Sequence, residues 1–395
     1  MIAYNYCFST CLGGLGVGAG NGSTERRFGF TSMAVPPGLL NTLGCQNIAV
    51  SPNGVMFVKS SVRKGLLGRM LEEILESRDM LKESINLWGD GNEALHKKLY
   101  AWQLGLKLIA NVTYGYTGAS FSGRMPCVEV ADAIVQTGRE TLENAIQFIQ
   151  SKHSTWGAEV VYGDTDSIFV HFPGKTRQTA YRLGHEIADA VTKLNPQPVK
   201  LKFEKVYQPS LLLTKKRYAG WMYTSVDQVE PQLDVKGMEL VRRDGCGIQQ
   251  HILEGAIDML FRENDLSLVK LFVTAQMDRV LRNDVPIEDF IIAKEVRLGA
   301  YSGRTLPAHA KVAMDMSHSK QAGPLHRERV PYIVTRNGAC TRLNDQVISP
   351  LILLQRSGLR IDYYYYIEKQ IIPALDRVFG LVGVDVRTWF NDMPR

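Results

Sequence analysis

At 395 residues the chain is long enough for two or three domains, and its 45% hydrophobic and 22% charged residues are those of a globular protein. A formal charge of +6 mildly favours a polyanionic partner and says little about fold. The six cysteines complete no zinc-ligand pattern and read as reduced thiols of an intracellular protein, no stretch approaches the roughly 18 apolar residues of a membrane span, and Met1 to Gly20 lacks the basic start of a signal peptide.

In chain order, Gly13 to Gly22 (GGLGVGAGNG) reads as a surface loop. A phosphate-binding loop is the weaker reading, because no Lys-Ser/Thr pair follows it. From Val62 to Leu87 the spacing predicts a helix with Leu67, Met70, Leu71, Ile74, Leu81 and Ile85 on one face. Trp88-Gly89-Asp90-Gly91-Asn92 breaks it, and a second helical run covers Glu93 to Val112. Together they predict an antiparallel helical hairpin. A further helix spans Val128 to Ser151. The period then changes to that of strands, at Glu159–Tyr162 and Ile168–Phe172, around Gly163-Asp164-Thr165-Asp166-Ser167. Residues 180–194 read as helix, and Val199–Val206, Ser210–Thr214 and Gly220–Ser225 as strands. Beyond Gly245 the pattern is mainly helical, with Pro-containing loops near Pro307, Pro324 and Pro331.

Four groups of residues carry chemistry. Asp164 and Asp166 are two apart, so on an extended strand both carboxylates face one side. Two like charges at the end of an apolar sheet favour a divalent cation. An EF-hand is excluded because its fifth position would be Ile168, and a plain polar turn is the competing reading. Lys107, Asn111 and Tyr114 share a helix face at spacings of four and seven, which suits the phosphate, sugar and base of a nucleotide, or else a solvated helix end. Arg78 and Lys82, four apart, are expected to face Lys107 across the hairpin, three cations converging on a polyanion such as a triphosphate, or else to lie on a solvated face. Finally, Lys215-Lys216-Arg217-Tyr218, Lys236, Arg242 and Arg243 stand among Tyr207, Trp221 and Tyr223. Nine Lys or Arg against five Asp or Glu between Lys200 and Arg243 make this a basic stretch suited to a nucleic-acid backbone.

The order and spacing of these groups resemble the B-family DNA polymerases. KLIANVTYG resembles their fingers-helix motif, VVYGDTDSIFV the catalytic palm hairpin, and KFEKVY with TKKRYAG the primer-side palm segment. IAYNYCFSTCLG, SPNGVMFVKSSVRKG, ANVTYGYTGASFSGRMPC and KGMELVRRD are similar to the zeta branch of that family, as is Val112 where most members have Ser. RVPYIV and the run from Tyr363 to Phe390 resemble thumb segments.

The resemblance implies an α+β right hand. Its parts would be palm at 1–61 and 121–244 with an antiparallel sheet, fingers at 62–120 as a helical hairpin, and a mainly helical thumb at 245–395. It implies DNA-directed nucleotidyl transfer from a dNTP to a primer 3′-hydroxyl with two Mg²⁺ ions. Asp166 would be the main metal ligand and catalytic residue, with Asp164 secondary, Glu204 a third palm carboxylate, and Arg78, Lys82, Lys107 and Asn111 on the triphosphate. Tyr114 would pack on the nascent base pair, and Lys215, Lys216, Arg217, Tyr218, Lys236, Arg242 and Arg243 would hold primer–template DNA. Accessory polymerase subunits, no membrane, a nuclear location and a role in translesion synthesis and repair go with it. So does the expectation that the chain is amino-terminally truncated, beginning just after the first palm aspartate. The exonuclease domain and the iron–sulfur or zinc modules of the family are absent from this sequence. A catalytically inactive fragment that binds DNA or docks accessory subunits is the alternative.

Overall fold

The computed structural model describes residues 1–14, 25–28, 31–34, 38–88, 91–119, 126–297, 299–301, 306–318, 323–336, 342–356 and 358–394. Most of the glycine run lies outside them. The chain divides into two units, Met1–Glu204 and Lys205–Arg395.

The first unit opens with β1 (Cys11–Gly14), the β2–β3 hairpin (Glu25–Phe28, Thr31–Ala34), the short helix α1 (Leu39–Leu43), β4 (Ile48–Val50) and β5 (Val55–Val58). Strands β1, β5 and β4 form one antiparallel sheet with β5 in the middle, and every residue of β5 is buried. The hairpin helices follow as α2 (Leu66–Trp88) and α3 (Glu93–Gly118). Helix α2 begins four residues later than its periodicity suggests. The cause is Asn5, whose amide donates to the carbonyls of Val58 and Arg63 at 2.7 and 2.8 Å and accepts from the Gly65 N–H at 2.8 Å. Those bonds hold the backbone between β5 and α2 out of helical geometry. Asn92 caps α3 by accepting from Leu95 N–H at 3.0 Å. Helix α3 runs past Val112 to Gly118; Gly115 weakens a helix by only about 1 kcal/mol and does not stop it. On the expected apolar face of α2, Leu71 is buried and Met70 is exposed.

Helix α4 (Val128–Ser151) has the expected bounds, and α5 (His153–Trp156) turns the chain into β6 (Glu159–Asp164) and β7 (Ser167–His171). Helix α6 (Arg177–Lys193) completes the layer. Val160, Ile168 and Val170 of the strands pack on Ala145, Ile149, Trp156, Leu183, Ile187 and Val191. The helices therefore hold one face of the β6–β7 hairpin.

The second unit starts with an antiparallel sheet of β8 (Val206–Thr214), β9 (Arg217–Tyr223) and β10 (Gln232–Lys236), with β9 central. The strand expected at Val199–Val206 does not form. One long strand runs from Val206 instead, with a register shift between Tyr207 and Ser210. Pro209 lies at that shift, where it has no N–H to give the ladder. Helices α7 (Gly247–Glu263) and α8 (Leu266–Leu281) are followed by β11 (Ile292–Glu295), α9 (Ala308–His318), β12 (Arg329–Val334) and β13 (Val347–Ile348). Helices α10 (Pro350–Gln355), α11 (Tyr363–Tyr366), α12 (Ile372–Phe379) and α13 (Val386–Asn391) end the chain. Strands β11, β12 and β13 form a sheet within this mainly helical region, and Val330, Tyr332, Ile333 and Val334 of β12 are buried in its core.

Candidate active site

The β6–β7 hairpin is closed by a two-residue loop, with Asp164 paired to Ser167. Thr165 sits at φ +53°, and Asp166 N–H donates to Asp164 O at 2.5 Å, a γ-turn centred on Thr165. The alternation of an extended strand, on which the shared facing of the two carboxylates was argued, therefore does not extend to Asp166. The tight turn brings the two residues together instead. Asp164 is half-buried at the strand end and accepts from Thr165 Oγ1 at 3.2 Å, while Asp166 is exposed at the tip.

Across the helical hairpin, Arg78 Nε donates to Gln103 Oε1 at 3.3 Å. That contact fixes the register of the antiparallel pair. It places Lys82 one turn nearer the hairpin tip and Lys107 one turn nearer its base, about 12 Å apart along the axis at about 1.5 Å per residue. Along the hairpin the three residues are thus spaced in a row rather than set at one level. Lys82 is further engaged by Asp79 at 2.8 Å.

Asn111, Tyr114, Thr165 and Asp166 line one cavity of about 540 Å³. Its apolar walls come from Leu71 and Leu75 of α2, Leu142 of α4 and Ile168 of β7, and its floor includes Met1, Ile2 and Tyr4. Lys107, one turn back on α3, is outside this lining. Tyr6, also in the lining, has its hydroxyl 3.1 Å from Thr137 Oγ1 of α4, which ties the chain start to the same wall. Glu204 is exposed, and among the described residues no three His, Cys, Asp or Glu side chains gather into a metal-binding group. Glu204 therefore does not join Asp164 and Asp166. The two remaining carboxylates are hard oxygen donors, and Mg²⁺ is commonly held by one or two carboxylates with water and substrate phosphates completing the shell. Burial pushes the Cys127 and Cys246 thiols up to about 12 and about 11, far from nucleophilic use.

In the second unit, Lys215 and Lys216 form the two-residue turn between β8 and β9, with Lys216 at φ +63° and Thr214 paired to Arg217. Both lysines are exposed. Arg217 Nη1 is 3.8 Å from Glu239, which also pairs with Arg377. Arg242 forms a two-pronged pair with Asp244 at 2.9 and 2.7 Å, so it is less available to a phosphate than its sequence setting suggests. The neighbouring Arg243 is exposed, its carbonyl accepting from Arg329 at 2.9 Å.

The description DNA polymerase family B matches residues 1–382 of the chain. The chain belongs to DNA polymerase family B. Among family members, the DNA polymerase zeta catalytic subunits of Homo sapiens and Saccharomyces cerevisiae are 50% and 47% identical to it over its whole length. The chain spans 12% and 26% of those two proteins. The DNA polymerase delta catalytic subunit of Candida albicans is 32% identical over 96% of the chain and 34% of that protein. The structure of the family B DNA polymerase from the hyperthermophilic archaeon Pyrobaculum calidifontis matches with a TM-score of 0.58 over 86% of the chain and 41% of that chain. At 23% identity that likeness bears on the fold, which is the mixed helical and antiparallel-sheet fold of family B.

Two further residues organise the segments around them. Asn5 anchors the entry to α2, as described above. Asp234 of β10 accepts hydrogen bonds from Lys205, Tyr207 and Lys236. Its signal in the sequence is the alternation Asp234-Val235-Lys236, which puts acid and base on one strand face.

Proposed function

We propose that this chain carries out template-directed DNA synthesis, transferring a nucleotide from a dNTP to a primer 3′-hydroxyl. The observation that carries the reading is the shared cavity: the fingers-type residues Asn111 and Tyr114 and the hairpin residue Asp166 line one space. Asp166, with Asp164, would hold Mg²⁺ together with the triphosphate oxygens. Two Mg²⁺ ions bound there would supply the charge that activates the primer hydroxyl and steadies the leaving pyrophosphate. The chain's own residues bind and orient. Lys107 and Arg78 draw the triphosphate along the hairpin groove, with Lys82 at its outer end. Asn111 holds the nucleotide where α3 meets the cavity, and Tyr114 gives the nascent base pair a flat wall. The apolar lining limits water around the reacting phosphate. Lys215, Lys216, Arg217, Tyr218, Lys236 and Arg243 hold the primer–template backbone.

The similarity to zeta catalytic subunits supports a role in translesion synthesis and repair, a nuclear location and accessory polymerase subunits as parts of the same proposal. Primer extension with Mg²⁺ tests the reaction. Extension should be lost in Asp166→Asn while DNA binding persists. Undiminished extension by Asp166→Asn would remove Asp166 from the site. Binding of primer–template without extension in Mg²⁺ or Mn²⁺ by the unaltered chain would favour the DNA-binding alternative.

A further inference from the structure

The β8–β9–β10 sheet has two unlike faces. Ala219 and Val235 are buried in the core of the second unit. Strand alternation turns Tyr218, Gly220, Asp234 and Lys236 to the opposite face. On that face Asp234 pairs with Gly220, and Lys236 with Tyr218. A Cβ on Gly220 would stand 2.7 Å from the Tyr207 ring, so the absence of a side chain lets that ring cross the central strand. Its hydroxyl reaches Asp234 Oδ2 at 2.6 Å. Lys205, just before β8, donates to the same oxygen at 2.5 Å, and Lys236 donates to Oδ1 at 2.5 Å. The Lys205 ammonium also lies 5.2 Å over the Tyr207 ring. Three donors from two edge segments of the sheet thus converge on one carboxylate.

The carboxylate lies beneath its cations: the Asp234 side chain is 10% exposed, against 23% for Lys205 and 52% for Lys236. Burial alone would push its carboxyl up, but the hydrogen bonds from Lys205, Lys236 and Tyr207 outweigh that and hold it below the usual carboxylate range. It is therefore an anion near neutrality, and the group keeps a net positive charge. Each ammonium has three N–H donors and needs only one for Asp234. A rigidly held ammonium loses less side-chain freedom on meeting a phosphate than a free one does.

We propose that Asp234 is a positioning residue that holds Lys205, Tyr207 and Lys236 as a preformed cationic platform for the phosphodiester backbone of DNA. The proposal rests on the DNA-synthesis reading for the identity of the polyanion. Simple charge counting makes the opposite forecast, since deleting an acid from a basic surface should tighten DNA binding. The test is equilibrium binding of a primer–template duplex over a range of salt, with the near-isosteric Asp234→Asn, with Tyr207→Phe, and with Lys215→Ala/Lys216→Ala. Asp234→Asn should weaken binding about tenfold and make the salt dependence shallower by about one to two units of log–log slope. Tyr207→Phe, which changes no charge, should weaken binding about threefold without altering the slope. Tighter or equal binding by Asp234→Asn overturns the proposal. So does weaker binding by Asp234→Asn with an unchanged slope, because a variant that no longer positions the two ammonium groups must lose phosphate contacts and flatten the slope. The lysine pair separates the two readings. If its removal alters neither affinity nor slope, the DNA surface itself is misassigned; if it flattens the slope and Asp234→Asn does not, only the positioning role fails.

Discussion

Gly237 lies against the backbone of Lys216: a Cβ at residue 237 would stand 2.2 Å from the Lys216 carbonyl oxygen. The strand that carries Lys236 therefore braces the turn that presents Lys215 and Lys216. Gly237 also sits at φ +66°, where an L side chain is strained. Gly237→Ala should lose at least about 1–2 kcal/mol of stability from the left-handed backbone alone. It should also displace the lysine turn, since a carbonyl cannot rotate away as a side chain does. Urea unfolding and duplex-binding measurements on the same preparation check both effects.

In the helical groove, Lys107→Ala and Arg78→Ala should each weaken dNTP use more than Lys82→Ala. Lys107 lies one turn from Asn111, whereas Lys82 is toward the hairpin tip and already bound to Asp79. A lost charge-assisted contact is worth about 1.5–3 kcal/mol, or roughly 10- to 100-fold in apparent nucleotide affinity. Single-turnover incorporation against dNTP concentration reads the ranking. Equal effects at all three positions would mean that the row of cations is engaged as a cluster.

Tyr366 is fully buried, and its hydroxyl donates to Phe290 O at 2.7 Å and accepts from Val334 N–H at 3.1 Å. It links β12 to the segment before β11. Tyr366→Phe keeps the ring and strands both backbone partners without water. A loss of about 1–3 kcal/mol is expected in urea unfolding of the chain.

Acid should reveal the Asp234 cluster. Its depressed carboxyl contributes stability that is present above the unfolded value near pH 3.9 and is lost as pH falls through the lower folded value. Asp234→Asn lacks that contribution throughout. The stability gap between the two proteins should be full at neutral pH and shrink from about pH 4 downward, as measured by denaturant unfolding at several pH values.

The helical hairpin and α4 were legible because a 3.6-residue period over 20 or more residues leaves few other folds. The Asp164–Asp166 hairpin was legible for a related reason: two apolar runs flank a Gly-Asp-rich break. The geometry inside that break was not. Nothing in a threonine between two aspartates announces a positive φ, so the shared facing of the two carboxylates was argued from strand alternation where the chain makes a γ-turn. The spread of Arg78, Lys82 and Lys107 depends on inter-helical register, which one Arg78–Gln103 contact sets and which spacing within each helix does not encode. Asp234 needed the knowledge that β8 and β10 flank β9, with a glycine at the crossing point. Strands β11, β12 and β13 were short runs in a helix-rich region, too brief for periodicity to separate from helix.

Asn5 gives the helical hairpin a fulcrum. Its three hydrogen bonds clamp the chain start, the end of β5 and the entry to α2 at one point. Beyond that point α2 extends 23 residues as a stiff lever, about 35 Å long at about 1.5 Å per residue. A tilt of about 10° about the fulcrum carries the tip by about 6 Å, Arg78 by about 3 Å, and the residues beside Asn5 hardly at all. Any rocking of the hairpin is thus graded along its length: the outer cations sweep, while the cavity wall at Leu71 stays nearly still.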